Sequence, residues 1–304
     1  MPETTVPASA DLAAFLAQAE ADHAGQPAAT LAALQARAPT LQPGADAAHA
    51  LRLAEHVALA HLGDVATLRA LGTTLPAALA LHADTAAAVQ RLHWVLASLD
   101  SVAGAPVAEP PPPAVRWRAL QNLVLARAWQ GRWAEAAALL AADETEAQAH
   151  GSGDAGVAYA VSANNVAAEL QSAGPLGKPH GPEQDALMLQ AAAIARRAWG
   201  HAGTWRHVER AEYRLAQCHA VAGQGAAAVH HARLCLAGCD AAGDAADAVE
   251  HFFAHEALAQ AHHAAGDGVA VGEARARMAA LLPQIDEGDG LRAWCADVLA
   301  ALPA

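Results

Sequence analysis

Aromatic residues make up only 4% of this 304-residue chain. Phe, Tyr and the β-branched residues are too sparse to furnish an extensive sheet. Basic residues are short as well: 18 Lys and Arg stand against 31 Asp and Glu, a formal net charge of −13. That balance argues against nucleic acid as a main partner, because phosphate recognition needs a basic footprint. No run of about 20 uncharged apolar residues occurs, so no membrane partner is expected. The N-terminal MPETTVPASADLAAFLAQ has neither the basic nor the apolar region of a signal peptide. A cytoplasmic location follows as the expectation. The four cysteines, Cys218, Cys235, Cys239 and Cys295, gather toward the C-terminus. They are expected as free, buried thiols rather than a disulfide framework.

Catalytic signatures are missing too. There is no Gly-rich phosphate loop, no G-x-S-x-G, no H-E-x-x-H and no pair of metal-binding carboxylates. His255-Glu256 lacks the second histidine of the zincin pattern. An enzyme is therefore the least supported class and no catalytic residue is assigned; its pocket would lie under the loop at 175–182.

What is present is alanine at helical spacing. Of the residues, 54% are hydrophobic, and much of that share is alanine, which favours helices and lets their backbones approach closely. Each alanine buries little surface, so many helix contacts must add up. The stretch RWRALQNLVLARAWQGRWAEAAALLAA, from Arg116 to Ala142, reads as two amphipathic helices meeting at Gly131. Such a unit cannot bury its own apolar faces and must stack on others. Residues 1–10 read as a flexible tail and 11–103 as N-terminal helical repeats, with one helix over about 45–62. The Pro-rich stretch 104–113 is a linker or a rigid loop, because a proline run cannot continue a helix. Residues 114–304 read as an array of helix pairs with a closing helix.

Gly131, Gly174, Gly223 and Gly266 recur between the paired helices. Three of these turns lead, five residues on, to Ala136, Ala228 and Val271. Eight residues upstream of the glycines stand Leu123, Val166, Leu215 and Leu258. This pattern resembles the tetratricopeptide repeat in LQNLVLARAWQGRWAEAAALL, YRLAQCHAVAGQGAAAVHHARLCL and HEALAQAHHAAGDGVAVGEARARM. The resemblance covers roughly 114–282, with a weaker echo in 12–71. The period is longer than that family's usual length of about 34 residues. The resemblance implies an all-α chain of antiparallel helix hairpins stacked into a right-handed superhelix. It further implies a concave groove that binds a peptide or protein segment, as an interaction scaffold or regulator does.

With the glycines aligned, Asn122, Asn165 and Arg214 share the position that faces the groove in that family. Arg210 lies one turn from Arg214. An Asn with two basic residues resembles a clamp for a peptide's terminal carboxylate, although Gln121 and Leu125 stand where that clamp has Lys and Asn. The expected groove set is Arg118, Gln121, Asn122, Asn165, Arg210, Tyr213, Arg214 and Gln217. The competing reading pairs Arg210 and Arg214 with Glu209, Glu212 or a neighbouring helix.

Two further sets remain open. His251, His255 and His262 share one helix face, and Cys235 and Cys239 lie at i, i+4. They are either core residues or a metal or small-ligand site. No other cofactor is predicted. The tryptophans at 117, 129, 133, 199 and 205 are core filler or a pocket wall. A homodimer is compatible with the sequence.

Overall fold

Several helices begin where the sequence offers a cap or a proline. The computed structural model describes residues 8–100, 109–172 and 180–303. Pro27 opens α2, Asp64 caps α4 by accepting the Thr67 N–H, and Asp247 and Glu250 form a reciprocal capping box at α14. In chain order the helices are α1 Ala8–Asp22, α2 Pro27–Arg37, α3 Ala45–His56, α4 Val65–Thr74, α5 Ala78–Leu81 and α6 Ala83–Asp100. They continue with α7 Pro113–Trp129, α8 Trp133–Ala142, α9 Glu144–Ala149, α10 Asp154–Gln171 and α11 Pro182–Ala202. The last are α12 Trp205–Val221, α13 Gly225–Ala242, α14 Ala248–Ala264, α15 Gly268–Leu281 and α16 Leu291–Ala301. No strand occurs among the described residues, so the chain is all-α. None of the described helices is long and apolar enough to cross a membrane.

Three local expectations are corrected. Helix α1 already begins at Ala8, inside the segment read as tail. The single helix expected over 45–62 changes character: α3 ends at His56 and a π-helical turn, Val57–His61, follows. There the Leu62 N–H bonds to the Val57 carbonyl, five residues back. The proline run does not stay extended throughout, because Pro113 is the first residue of α7. At that position its missing N–H has no intrahelical partner to lose. Residues 104–108 and 175–179 lie outside the described residues; Pro182, at the end of the loop expected over 175–182, opens α11.

The chain forms two compact units, the first ending at Leu139 and the second beginning at Leu140. Helix α7, where the expected array starts, falls in the first. The first unit has a leucine-rich core that includes Leu16, Leu34, Leu51, Leu59, Leu68, Leu92 and Leu123. The second unit is built differently. Helices α10 with α11, α12 with α13, and α14 with α15 pack as consecutive pairs, and α12 also packs on α10 and α14. Where α12, α13 and α14 meet, the core is Ala216, Ala228, Ala232, Ala257 and Ala261. At Gly225 the helices come closer still. A Cβ there would stand 2.6 Å from Ala265 Cα, so only glycine fits.

Candidate functional site

Two paired turns of the second unit have the same geometry. Gly223 and Gly266 adopt φ of +70° and +76°, the left-handed conformation that closes a helix C-terminus. In both, the next residue's N–H reaches back five residues: Gln224 to the His219 carbonyl and Asp267 to the His262 carbonyl. Gly131 in the first unit has the same form, with φ of +77°. The residues five positions on, Ala136, Ala228 and Val271, are all buried.

This common turn sets the register of the preceding helices. Tyr213 and Glu256 each fall ten residues before their glycine, and Gln217 and Gln260 each fall six before. Each pair is therefore i, i+4 on one helix face. The structure joins them in a polar ladder across three helices. Arg214 Nη1 donates to Gln171 Oε1 on α10 and to Gln217 Oε1. Gln217 Nε2 donates to the Tyr213 hydroxyl at 2.7 Å. Tyr213 donates to Glu256 Oε2 on α14 at 2.6 Å, and Gln260 Nε2 donates to Glu256 Oε1.

Burial shapes the charges in this ladder. It pushes Tyr213 far above the ordinary phenol range. It also raises the Glu256 carboxyl above its ordinary 4.5, with the Tyr213 hydrogen bond opposing the shift. Arg210 and Arg214 form no ion pair among the described residues. The acids that would neutralise them are occupied: Glu212 binds Arg196 and His231, and Glu209 accepts the Cys235 thiol at 2.8 Å. Arg210 is exposed and Arg214 half-buried. The Arg214 Nε is buried and makes no hydrogen bond.

The raised Glu256 carboxyl has a consequence for stability. An acid whose folded pKa exceeds its unfolded one binds its proton more tightly in the native state. It therefore removes stability as pH rises from about 4.5 through the folded value. The stability of the wild type relative to Glu256→Gln should fall as pH increases across that window. Thermal melts of both proteins from acid to neutral pH check this, and a gap constant with pH would contradict it.

The other expected groove residues are distributed as follows. Asn165 is half-buried on α10, next to Asn164. Arg118, Gln121 and Asn122 stand on α7, in the first unit. Arg118 is exposed and Gln121 half-buried. Asn122 is buried within the first unit, where its Nδ2 donates to Glu55 Oε1 at 2.8 Å. The structure thus brings Tyr213, Arg214 and Gln217 together. It adds Gln171, Glu256 and Gln260, which sequence reasoning missed although the glycine alignment marks Glu256 and Gln260.

The histidines and cysteines expected as a metal set do not converge. Among the described residues, none of His251, His255, His262, Cys235 and Cys239 belongs to a group of three metal-type donors within mutual reach. His251 Nδ1 bonds the Asp247 carbonyl, and His262 lies 3.6 Å from Asp267. His255 Nδ1 is buried without a hydrogen bond, and burial lowers its pKa. Burial pushes the Cys239 thiol up to about 12 and Cys235 beyond that, so both stay protonated at neutral pH. No protein-family model, curated protein or solved structure matches this chain.

Proposed function

We propose that the second unit is a tetratricopeptide-like helical repeat that binds a peptide or protein segment through a carboxylate. The bound group sits at Arg210 and Arg214, beside the polar ladder. The observation that carries this reading is the state of those two arginines. They stand one turn apart and neither forms an ion pair among the described residues, although the Arg210 charge is felt at Glu209, while Gln171 and Gln217 hold the Arg214 guanidinium in place. Two like charges at i, i+4 repel mildly, and an incoming carboxylate relieves that repulsion. It also gains charge-assisted hydrogen bonds, among the stronger polar contacts available to a peptide. Neutral amides are suited to this task. They orient the cation without neutralising it, which a neighbouring glutamate would do.

The test uses fluorescence anisotropy with a library of peptides carrying either a free or an amidated C-terminus. Free-acid peptides should bind more tightly. Arg214→Glu should weaken that binding by about tenfold or more, the scale of one lost charged hydrogen bond. Helix content should be unchanged by circular dichroism. Equal binding of amidated and free peptides, or binding that survives Arg214→Glu, overturns the proposal.

A further inference from the structure

Three histidines of the first unit meet in space although the sequence gives no sign of it. His23 lies in the turn that follows α1, His56 ends α3, and His61 ends the π-turn. Their ring centroids are 4.8 to 5.5 Å apart. One ring nitrogen from each lies within 4.8 Å of the other two. In a regular α-helix, residues five apart are turned about 140° from each other. The π-turn Val57–His61 adds the residue that brings His56 and His61 to the same side. Trp129 holds that turn by donating its indole N–H to the Ala60 carbonyl at 2.6 Å.

Hydrogen bonds to fixed oxygens set the tautomer of two of the three rings. Asn122 Nδ2 donates to Glu55, so its Oδ1 points at His56 Nδ1, 3.2 Å away. An amide oxygen only accepts, so His56 Nδ1 carries the hydrogen and Nε2 carries the lone pair. His23 Nδ1 lies 2.6 Å from the Glu20 carbonyl, which likewise only accepts, so its Nε2 also carries the lone pair. A histidine that gives its Nδ1–H to a fixed oxygen and presents Nε2 is the arrangement typical of metal ligands. Behind Asn122 the network ends in a buried ion pair, Glu55 with Arg91, which keeps the amide from turning.

We propose that His23, His56 and His61 bind one divalent transition-metal ion, Zn2+ in the first instance. An all-imidazole set disfavours Ca2+ and Mg2+, which take oxygen ligands. Three nitrogens leave one coordination position for water. Zn–N bonds of about 2.0–2.1 Å in a tetrahedral site need nitrogens about 3.4 Å apart, so the rings close slightly around the ion. All three side chains are half-buried. The ion ties the end of α1 to the end of α3. This site is separate from the peptide reading of the second unit, and neither proposal depends on the other.

The test uses the untagged full chain, stripped with a chelator and titrated with ZnCl2 by calorimetry and native mass spectrometry. One Zn2+ per chain is expected. His23→Ala and His61→Ala should each weaken binding at least about tenfold, and Asn122→Ala about tenfold through loss of orientation. His49→Ala, an exposed control that bonds Glu20 instead, should bind as the wild type does. A second readout needs no variant. Zn2+ should protect His23, His56 and His61 from acylation by diethyl pyrocarbonate while His82 and His93 remain reactive. No bound Zn2+, undiminished binding in the triple His→Ala variant, or uniform labelling with and without Zn2+ overturns the proposal.

Discussion

Replacing Arg91 by Met should cost the first unit about 3–5 kcal/mol, a large share of the about 5–15 kcal/mol that holds an ordinary domain folded. Arg91 contacts Glu55 through Nε and Nη2, the shortest contact being 2.7 Å. The Glu55 side chain is only 2% exposed. Without the guanidinium, a carboxylate stays buried with the neutral Asn122 amide as its remaining hydrogen-bond donor and only the more distant Arg52 charge to balance it. It must then either ionise in an apolar surrounding or take up a proton, and both are unfavourable. The double variant Glu55→Met/Arg91→Met should recover most of the loss, because an apolar pair of similar volume removes both charges together. Urea denaturation of the three proteins measures this. A single variant as stable as the wild type would show that water reaches Glu55.

Phe252→Ala should cost the second unit about 3–5 kcal/mol. Phe252 is fully buried on α14 and packs with Met278, Ile285 and Cys295. These come from α15, the segment after it, and α16, so one ring holds the closing helix in place. Met278 and the leucines Leu281, Leu282 and Leu291 around it can move part of the way into the space. The void should therefore collapse in part, and the loss should sit in the lower half of the range. Calorimetric melting of Phe252→Ala and of Phe252→Leu separates the two contributions. The leucine variant should lose well under half as much, and equal losses would mean that ring shape rather than volume matters.

Local features of the fold were legible in the sequence, because their causes are local. The glycine spacing marked turns whose left-handed geometry at Gly223 and Gly266 is explicit, and Ala228 and Val271 are buried where periodicity put them. Tyr213, Arg214 and Gln217 could be placed on one helix face from their spacing. What distance or irregularity decides could not be read in this way. The groove position assigned to Asn122 gave no hint of Glu55, 67 residues away. The cysteines are free and buried, as expected, but nothing in their i, i+4 spacing pointed to Glu209 on a different helix, which takes up Cys235. The relation of His56 to His61 depends on a π-turn that no 3.6-residue pattern encodes.

The two units also differ in how far apart in sequence their contacts lie. In the second, the main partners of each helix are its immediate or next-but-one neighbours. In the first, Glu55 must find Asn122 and Ala60 must find Trp129, 67 and 69 residues on. Closing a longer loop takes more chain entropy before any contact rewards it. The second unit can thus assemble pair by pair as it leaves the ribosome. The first must wait for α7 to be synthesised before Asn122 can complete the hydrogen bonds around its buried Glu55–Arg91 pair.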